Sequence, residues 1–326
     1  MINTSDSTNE SLELIIKKAH LETSFENWIT NFSLNLSDIW NENSGRSLDP
    51  SFNSLKNSTN SAIVIGAGPS LKKYNHLEIL SKSDYKGSII CTDRSLVPAL
   101  KAGVTPDKFP NFFVVTIDTD KIIKKFYEDE IIKKFYDKIN GIFTTVTNPL
   151  TIDMARKNGI RINWIHALFD YEEGIKSFNH ISSIMVRAKN HINGLPAIQT
   201  GGNVGTSCWF IGWKILHCKN IALIGIDHSW SEEVLWKDIA LHCKISYDIE
   251  IEDSLRKKLF PRVFNSEFKC TCILDPIFQY YSNALKEFIS RSANEIHTFN
   301  ATEGGCIFGD KITCLKFTDF LTQNKN

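Results

Sequence analysis

The chain has no surplus of either charge: lysine plus arginine and aspartate plus glutamate number 37 each. Without a basic excess the usual electrostatic footprint of a nucleic-acid binder is missing, and without a polybasic run an anionic membrane has little to attract. No apolar run approaches the length of a membrane span. The first twenty residues carry acid early and lack a long apolar core, so they do not read as a secretory signal. No C-x-x-C pair occurs among the eight cysteines, at positions 91, 208, 218, 243, 270, 272, 306 and 314. Zinc would need ligands beyond Cys270 and Cys272, and His242-Cys243 is the nearest source. Buried reduced thiols in a cytoplasmic protein are the better reading.

What is present is the composition of a soluble globular protein, 42% hydrophobic and 23% charged. The 326 residues give room for one large domain or two ordinary ones. The most informative stretch is residues 61–71, SAIVIGAGPSL. Four apolar residues, Ala62 to Ile65, run into Gly66-Ala67-Gly68-Pro69-Ser70, after which a helical pattern begins. A buried parallel strand hands over to a helix in this way, through a glycine turn. The helix N-terminus beyond it offers free N–H groups and partial positive charge, which suits a phosphate.

The same rhythm continues downstream. SIICTD stops at Asp93, and FFVVTID (112–118) stops at Asp118. Strands are also expected at 141–147, 161–167, 221–227 and, last in the chain, 295–299. A second glycine turn, Thr200-Gly201-Gly202-Asn203-Val204-Gly205, opens an apolar helix, and the strand after it ends at Asp227. A third, Asn300-Ala301-Thr302-Glu303-Gly304-Gly305, follows the last strand. In open α/β sheets ligands lie at the carboxyl ends of the strands, so these turns and aspartates mark one crevice. The fold expected is α/β, a doubly wound and mostly parallel sheet, over residues 61–326. Residues 1–60 read as a helical extension (8–40) and a polar linker. Residues 168–196 read as irregular, with Asp170, Tyr171, Glu172 and Glu173 clustered as in a lid or a surface insertion. IIKKFY occurs at 122–127 and again at 131–136. A nine-residue offset puts the copies on opposite sides of one helix, so a kink, two-sided burial or chance is implied.

Each candidate has a plainer explanation. Gly66 and Gly68 can serve the turn alone, and Asp93, Asp118 and Asp227 can be helix caps. His228 is more often a structural histidine than a base. Glu303 beside two glycines can simply be solvated, and His166 is a weaker candidate.

Taken together, GAGPSL at 66–71, Asp93, Pro106-Asp107, Asp118, GGNVG at 201–205, IGID at 224–227 and NATEGG at 300–305 resemble the MptE-like family. That family comprises archaeal 6-hydroxymethylpterin diphosphokinases and the related flagellin-glycosylation (Maf) proteins. The first glycine motif and the fold are also similar to those of bacterial CMP-dependent sialyltransferases. The resemblance implies a Rossmann-like, sialyltransferase-like domain that transfers pyrophosphate from ATP to 6-hydroxymethyl-7,8-dihydropterin with Mg²⁺. It implies phosphate or nucleotide contacts at Gly66, Gly68, Pro69, Ser70, Asp93, Gly201, Gly202, Asn203, Thr302 and Glu303. Metal would fall to Asp93, Asp118 and Asp227, and catalysis to Asp118, Asp227 and His228. The partners implied are a nucleotide and a small-molecule substrate; assembly into a homo-oligomer stays open.

The alternative is a glycosyltransferase using a CMP-activated sugar of the nonulosonic or sialic type, in which His228 or another base deprotonates the acceptor. A dinucleotide oxidoreductase fits less well, because Leu71 stands where the third glycine or alanine belongs. A binding protein that lost activity is disfavoured by three glycine turns and three strand-end aspartates.

Overall fold

A computed structural model describes residues 24–51, 59–169, 177–243 and 257–324. The first helix, α1, covers residues 24–41. Strand β1 (Asn43–Ser44) follows, then β2 (Ser61–Ile65), the short helices α2 (Ser70–Lys73) and α3 (His76–Lys82), and β3 (Ser88–Thr92). Next come α4 (Asp93–Lys101), β4 (Phe112–Thr116), β5 (Asn140–Thr144), α5 (Pro149–Lys157) and β6 (Arg161–Leu168). Then α6 (Phe178–Arg187), β7 (Ala197–Gln199), α7 (Val204–Lys214) and β8 (Asn220–Ile224) lead to β9 (Trp230–Ser231), β10 (Arg262–Asn265) and β11 (Cys270–Ile273). A helix at Pro276–Ser290, β12 (His297–Asn300), β13 (Ile312–Cys314) and a helix at Phe317–Gln323 complete the order.

The main sheet is parallel and runs β1-β6-β5-β4-β3-β2-β8-β12-β13, with β7 also paired to β6. Its central strands β2, β3 and β4 are buried along their whole length, which is why they read as continuous apolar runs. The pleat sends alternate residues to opposite faces. Ile63 and Ile65 join one core with Ile89, Val114 and Ile224, against α4, α5 and the helix Phe317–Gln323. Ala62 and Val64 join the other with Ile90, Val115 and Leu223, against α7 and the helix Pro276–Ser290. Helices on both faces make the sheet doubly wound, as the strand spacing implied.

The structure refines the sequence reading in several places. Within 8–40 the described helix is α1; residues 1–23 lie outside the described residues. Helix α1 packs on the main domain, burying Trp28, Phe32 and Ile39 in the first core. Asn31 donates to the carbonyls of Thr119 and Val146 at 3.0 Å each, and Asn35 to those of Thr145 and Thr147 at 3.2 and 2.7 Å. The repeat at 121–138 is two short 3₁₀ segments, Lys121–Tyr127 and Ile132–Phe135, so the chain breaks between the copies. The stretch 168–196 contains α6, capped by Ser177 through the amide of His180; its acidic cluster lies outside the described residues. Residues 228–272 hold a three-stranded antiparallel sheet, β10-β11-β9, and β13 adds one strand beyond 295–299.

Candidate active site

The chain moves outward from β2 through β3, β4 and β5 to β6, then returns to lay β8 on the other side of β2. The strand order reverses between β2 and β8, and a crevice opens at such a switch point. There the turn after β2 and the turn after β8 touch. The Gly66 amide donates to the Ile224 carbonyl and the Gly68 amide to the Gly225 carbonyl, each at 2.8 Å. A Cβ on Gly66 would lie 2.2 Å from the Gly225 oxygen. One on Gly68 would lie 1.9 Å from Asp227 Oδ2. These glycines therefore allow two backbones to abut and leave a seat for a carboxylate.

Asp227 occupies that seat. Its Oδ2 accepts from the Ser70 hydroxyl at 2.8 Å, and the Ser70 amide also donates to the carboxylate. Burial raises the Asp227 pKa to about 6, against the lowering effect of both Ser70 bonds. The amides of Gly66, Gly68 and Ser70, expected from sequence to cradle phosphate, are thus engaged within the protein. Asp227 itself takes the place at the start of α2.

Asp93 and Asp118 follow β3 and β4. Asp93 is only 6% exposed. Its Oδ1 accepts from the Arg94 amide at 2.7 Å and its Oδ2 from Thr116 Oγ1 at 3.2 Å; Thr116 in turn meets the Tyr127 hydroxyl at 2.7 Å. Burial pushes its pKa up to about 6, and the nearby Asp118 charge adds to this. Asp118 is exposed, with Oδ1 accepting from the Asp120 amide at 2.9 Å. Among the described residues no group of three or more His, Cys, Asp or Glu side chains is placed to hold a metal. The three aspartates read from sequence as metal ligands do not converge as one cluster. Mg²⁺, however, needs only one or two carboxylates when phosphate oxygens complete its shell, and Asp118 fits that demand.

The second glycine turn faces the first. Asn203 caps α7, its Oδ1 accepting from the Thr206 amide at 2.9 Å while Nδ2 donates to Thr206 Oγ1 at 2.9 Å. The amides of Val204 and Gly205, in the first turn of α7, have no acceptor inside the helix. His228 lines the same cavity with φ +44, a conformation that histidine enters at a cost. It is buried, its Nδ1 has no hydrogen-bond partner, and burial drives its pKa down to about 3. His228 is therefore a neutral, weakly basic ring at physiological pH.

The site is one cavity of about 550 Å³. Of the residues singled out in sequence, Gly66, Gly68, Pro69, Asp93, Asp118, Gly202, Asn203, Asp227 and His228 line it. Ser70 acts from behind through Asp227, and Gly201, Thr302 and Glu303 are not in the lining. Thr302 is buried, with its hydroxyl on the Leu223 carbonyl at 3.2 Å. Glu303 turns away to the Phe317 amide at 3.2 Å and His76 at 3.4 Å. The third turn reaches the site only as support, the Cys306 amide holding the Asp227 carbonyl at 3.1 Å. His166 also stays outside the lining; burial lowers its pKa to about 4. Sequence reasoning missed most of the aromatic wall, which includes Trp28, Phe126, Phe169, Phe278 and Tyr281 besides Trp230. Their spacing is that of ordinary core residues, so only the topology reveals them.

Comparison with known proteins adds three findings. A family model described as "6-hydroxymethylpterin diphosphokinase MptE-like" matches residues 32–233. No curated protein matches. Among solved structures, a Maf glycosyltransferase from Magnetospirillum magneticum AMB-1 is similar at 13% identity and a TM-score of 0.47. The match covers 80% of this chain and 34% of that one, so the chain spans about a third of that protein's length.

Proposed function

The chain belongs to the MptE-like family, and from that premise we propose that it is a transferase that passes the pyrophosphoryl group of ATP to the hydroxyl of 6-hydroxymethyl-7,8-dihydropterin. The observation that carries this reading is Asp227, a carboxyl with its pKa raised to about 6, held by Ser70 at the topological switch point. Such a group is ionised at neutral pH yet more basic than an ordinary aspartate, which is the setting for a general base.

In the step proposed, the acceptor oxygen attacks the β-phosphorus of ATP. The bond from that phosphorus to the α,β-bridging oxygen breaks, AMP departs, and the hydroxyl proton passes to Asp227. The Ser70 hydroxyl fixes which Asp227 oxygen points away from the turn. The free amides of Val204 and Gly205, at the positive end of α7, meet phosphate oxygens. Neutral His228 borders the same ligand without bringing a charge. Asp118 would hold Mg²⁺ together with phosphate oxygens, where the ion supplies charge neutralisation for the transferring group.

The test is nucleotide consumption by the purified protein. Mg·ATP with 6-hydroxymethyl-dihydropterin is run beside a CMP-activated sugar, and AMP and CMP are quantified. Pterin-dependent AMP release is the expected result. CMP release without AMP would overturn the reading and make the chain a glycosyltransferase.

A further inference from the structure

We propose that Asp93 recognises the 2-amino-4-oxopyrimidine edge of the acceptor's pterin ring, within a slot walled by Trp28, Phe126 and Phe169; this rests on the pterin reading above. That edge presents two adjacent donors, the ring N3–H and the exocyclic amine, and a carboxylate offers two acceptors in matching fork geometry. Cytosine and adenine each present a single amine donor beside a ring-nitrogen acceptor, so one oxygen of the carboxylate would face an acceptor. A carboxylate here therefore selects the acceptor ring over either nucleotide base.

Asp93 is built for such a task. It is only 6% exposed and nevertheless lines the cavity. One lone pair on each oxygen is fixed from behind, by the Arg94 amide at 2.7 Å and by Thr116 at 3.2 Å, and Tyr127 anchors Thr116 in turn. The carboxylate plane is thus set before any ligand arrives, and each oxygen keeps a second lone pair for it. Helix-end satisfaction accounts for one oxygen only: Oδ1 takes the first-turn amide of Arg94, while the N-cap position of α4 is Thr92 and Oδ2 is held by Thr116.

The surroundings suit a flat ring. Trp28 stacks on Phe169 with centroids 5.0 Å apart and planes at 21°, and the Arg94 guanidinium lies over Phe126 at 5.5 Å. Trp28 and Ser24 reach the cavity from α1, ahead of the segment that matches the family model. The distance is consistent as well. Asp93 follows β3 and Asp227 follows β8, with β2 between them, so two interstrand steps of about 4.8 Å separate the strand ends by about 10 Å. A two-ring ligand with a one-carbon arm bridges that gap, its amine at Asp93 and its hydroxyl at Asp227.

Direct binding tests this without turnover. Quenching of intrinsic tryptophan fluorescence would be titrated with 6-hydroxymethylpterin, with 6-hydroxymethyl-lumazine (oxygen in place of the 2-amino group) and with CMP, using wild type and Asp93→Asn; equilibrium dialysis would give ATP affinity. Wild type is expected to prefer the pterin to the lumazine by about 10–100-fold, because the analogue leaves a buried carboxylate oxygen without its donor. Asp93→Asn is expected to lose a similar factor for the pterin, to lose the discrimination, and to keep its ATP affinity within about twofold. Equal pterin binding by both proteins, or no preference in wild type, would overturn the role of Asp93 alone. Wild type that binds CMP and no pterin would overturn the pterin function itself.

Discussion

Asp93→Asn carries a second, independent consequence: the variant should be more stable than wild type at alkaline pH. Burial raises the Asp93 pKa from 3.8 to about 6, with the Asp118 charge adding to the rise. At 1.36 kcal/mol per unit, ionising this group in the fold is disfavoured by about 3 kcal/mol relative to the unfolded chain. Because the folded pKa is the higher one, the folded state holds more protons between pH 3.8 and 6. The penalty is therefore complete above about pH 6 and is relieved as pH falls toward 3.8. Asparagine removes it while keeping the local bonds, since Oδ1 can still accept from the Arg94 amide. Its Nδ2 can donate to Thr116 Oγ1, which then turns its own proton to Tyr127. Urea unfolding of both proteins with chelator present, at pH 8 and pH 4.5, measures the effect. The stability of the variant relative to wild type should be about 2 kcal/mol greater at pH 8 than at pH 4.5, because other titrating groups cancel in the difference. The same difference at both pH values would refute the burial argument.

Three further outcomes follow from the same geometry. Gly68→Ala places a methyl 1.9 Å from Asp227 Oδ2 and 2.8 Å from the Gly225 carbonyl, so turnover should fall at least ~100-fold and stability by about 1–3 kcal/mol; wild-type AMP release from this variant would disprove the seat. Ser70→Ala removes a bond that favours ionised Asp227, so the acidic limb of the pH–rate profile should move upward from about pH 6, and an unmoved limb would separate Asp227 from the proton transfer. Asn203→Ala deletes the α7 cap and should lower the melting temperature by the equivalent of about 1 kcal/mol, with thermal unfolding as the check.

The parallel sheet was legible because its central strands are buried on both faces and stop abruptly at glycine or aspartate. That pattern located Gly66, Asp93, Asp118 and Asp227 at a shared edge. What the pattern lacked was direction: a strand-end aspartate looks the same whether it faces the ligand or is tied into the protein. Hence Asp227 appeared as one of three metal ligands, while Thr302 and Glu303 appeared as part of a pocket they only support. Helix α6 escaped notice because its apolar residues mislead: Ile181, Ile184 and Met185 are exposed, while Ser182 and Val186 are buried. The small antiparallel sheet escaped because β9 has two residues and β10 and β11 have four each, mostly half-buried, too short to show a period of two. Trp28 was visible only as a helix aromatic, and nothing local distinguishes a cavity wall from a core.

The asparagines of α1 also have a consequence for how the protein is made. Asn31 and Asn35 bond to carbonyls 88 to 115 positions further along the chain. At the roughly 5–20 residues per second of synthesis, α1 waits roughly 5–20 s before its partners leave the ribosome. Trp28 and Phe32 wait longer still, since the rings they pack on, Phe169 and Phe178, lie further along the chain. One wall of the cavity is thus translated first and seated late, and a slowed ribosome between residues 42 and 147 would lengthen the wait in direct proportion.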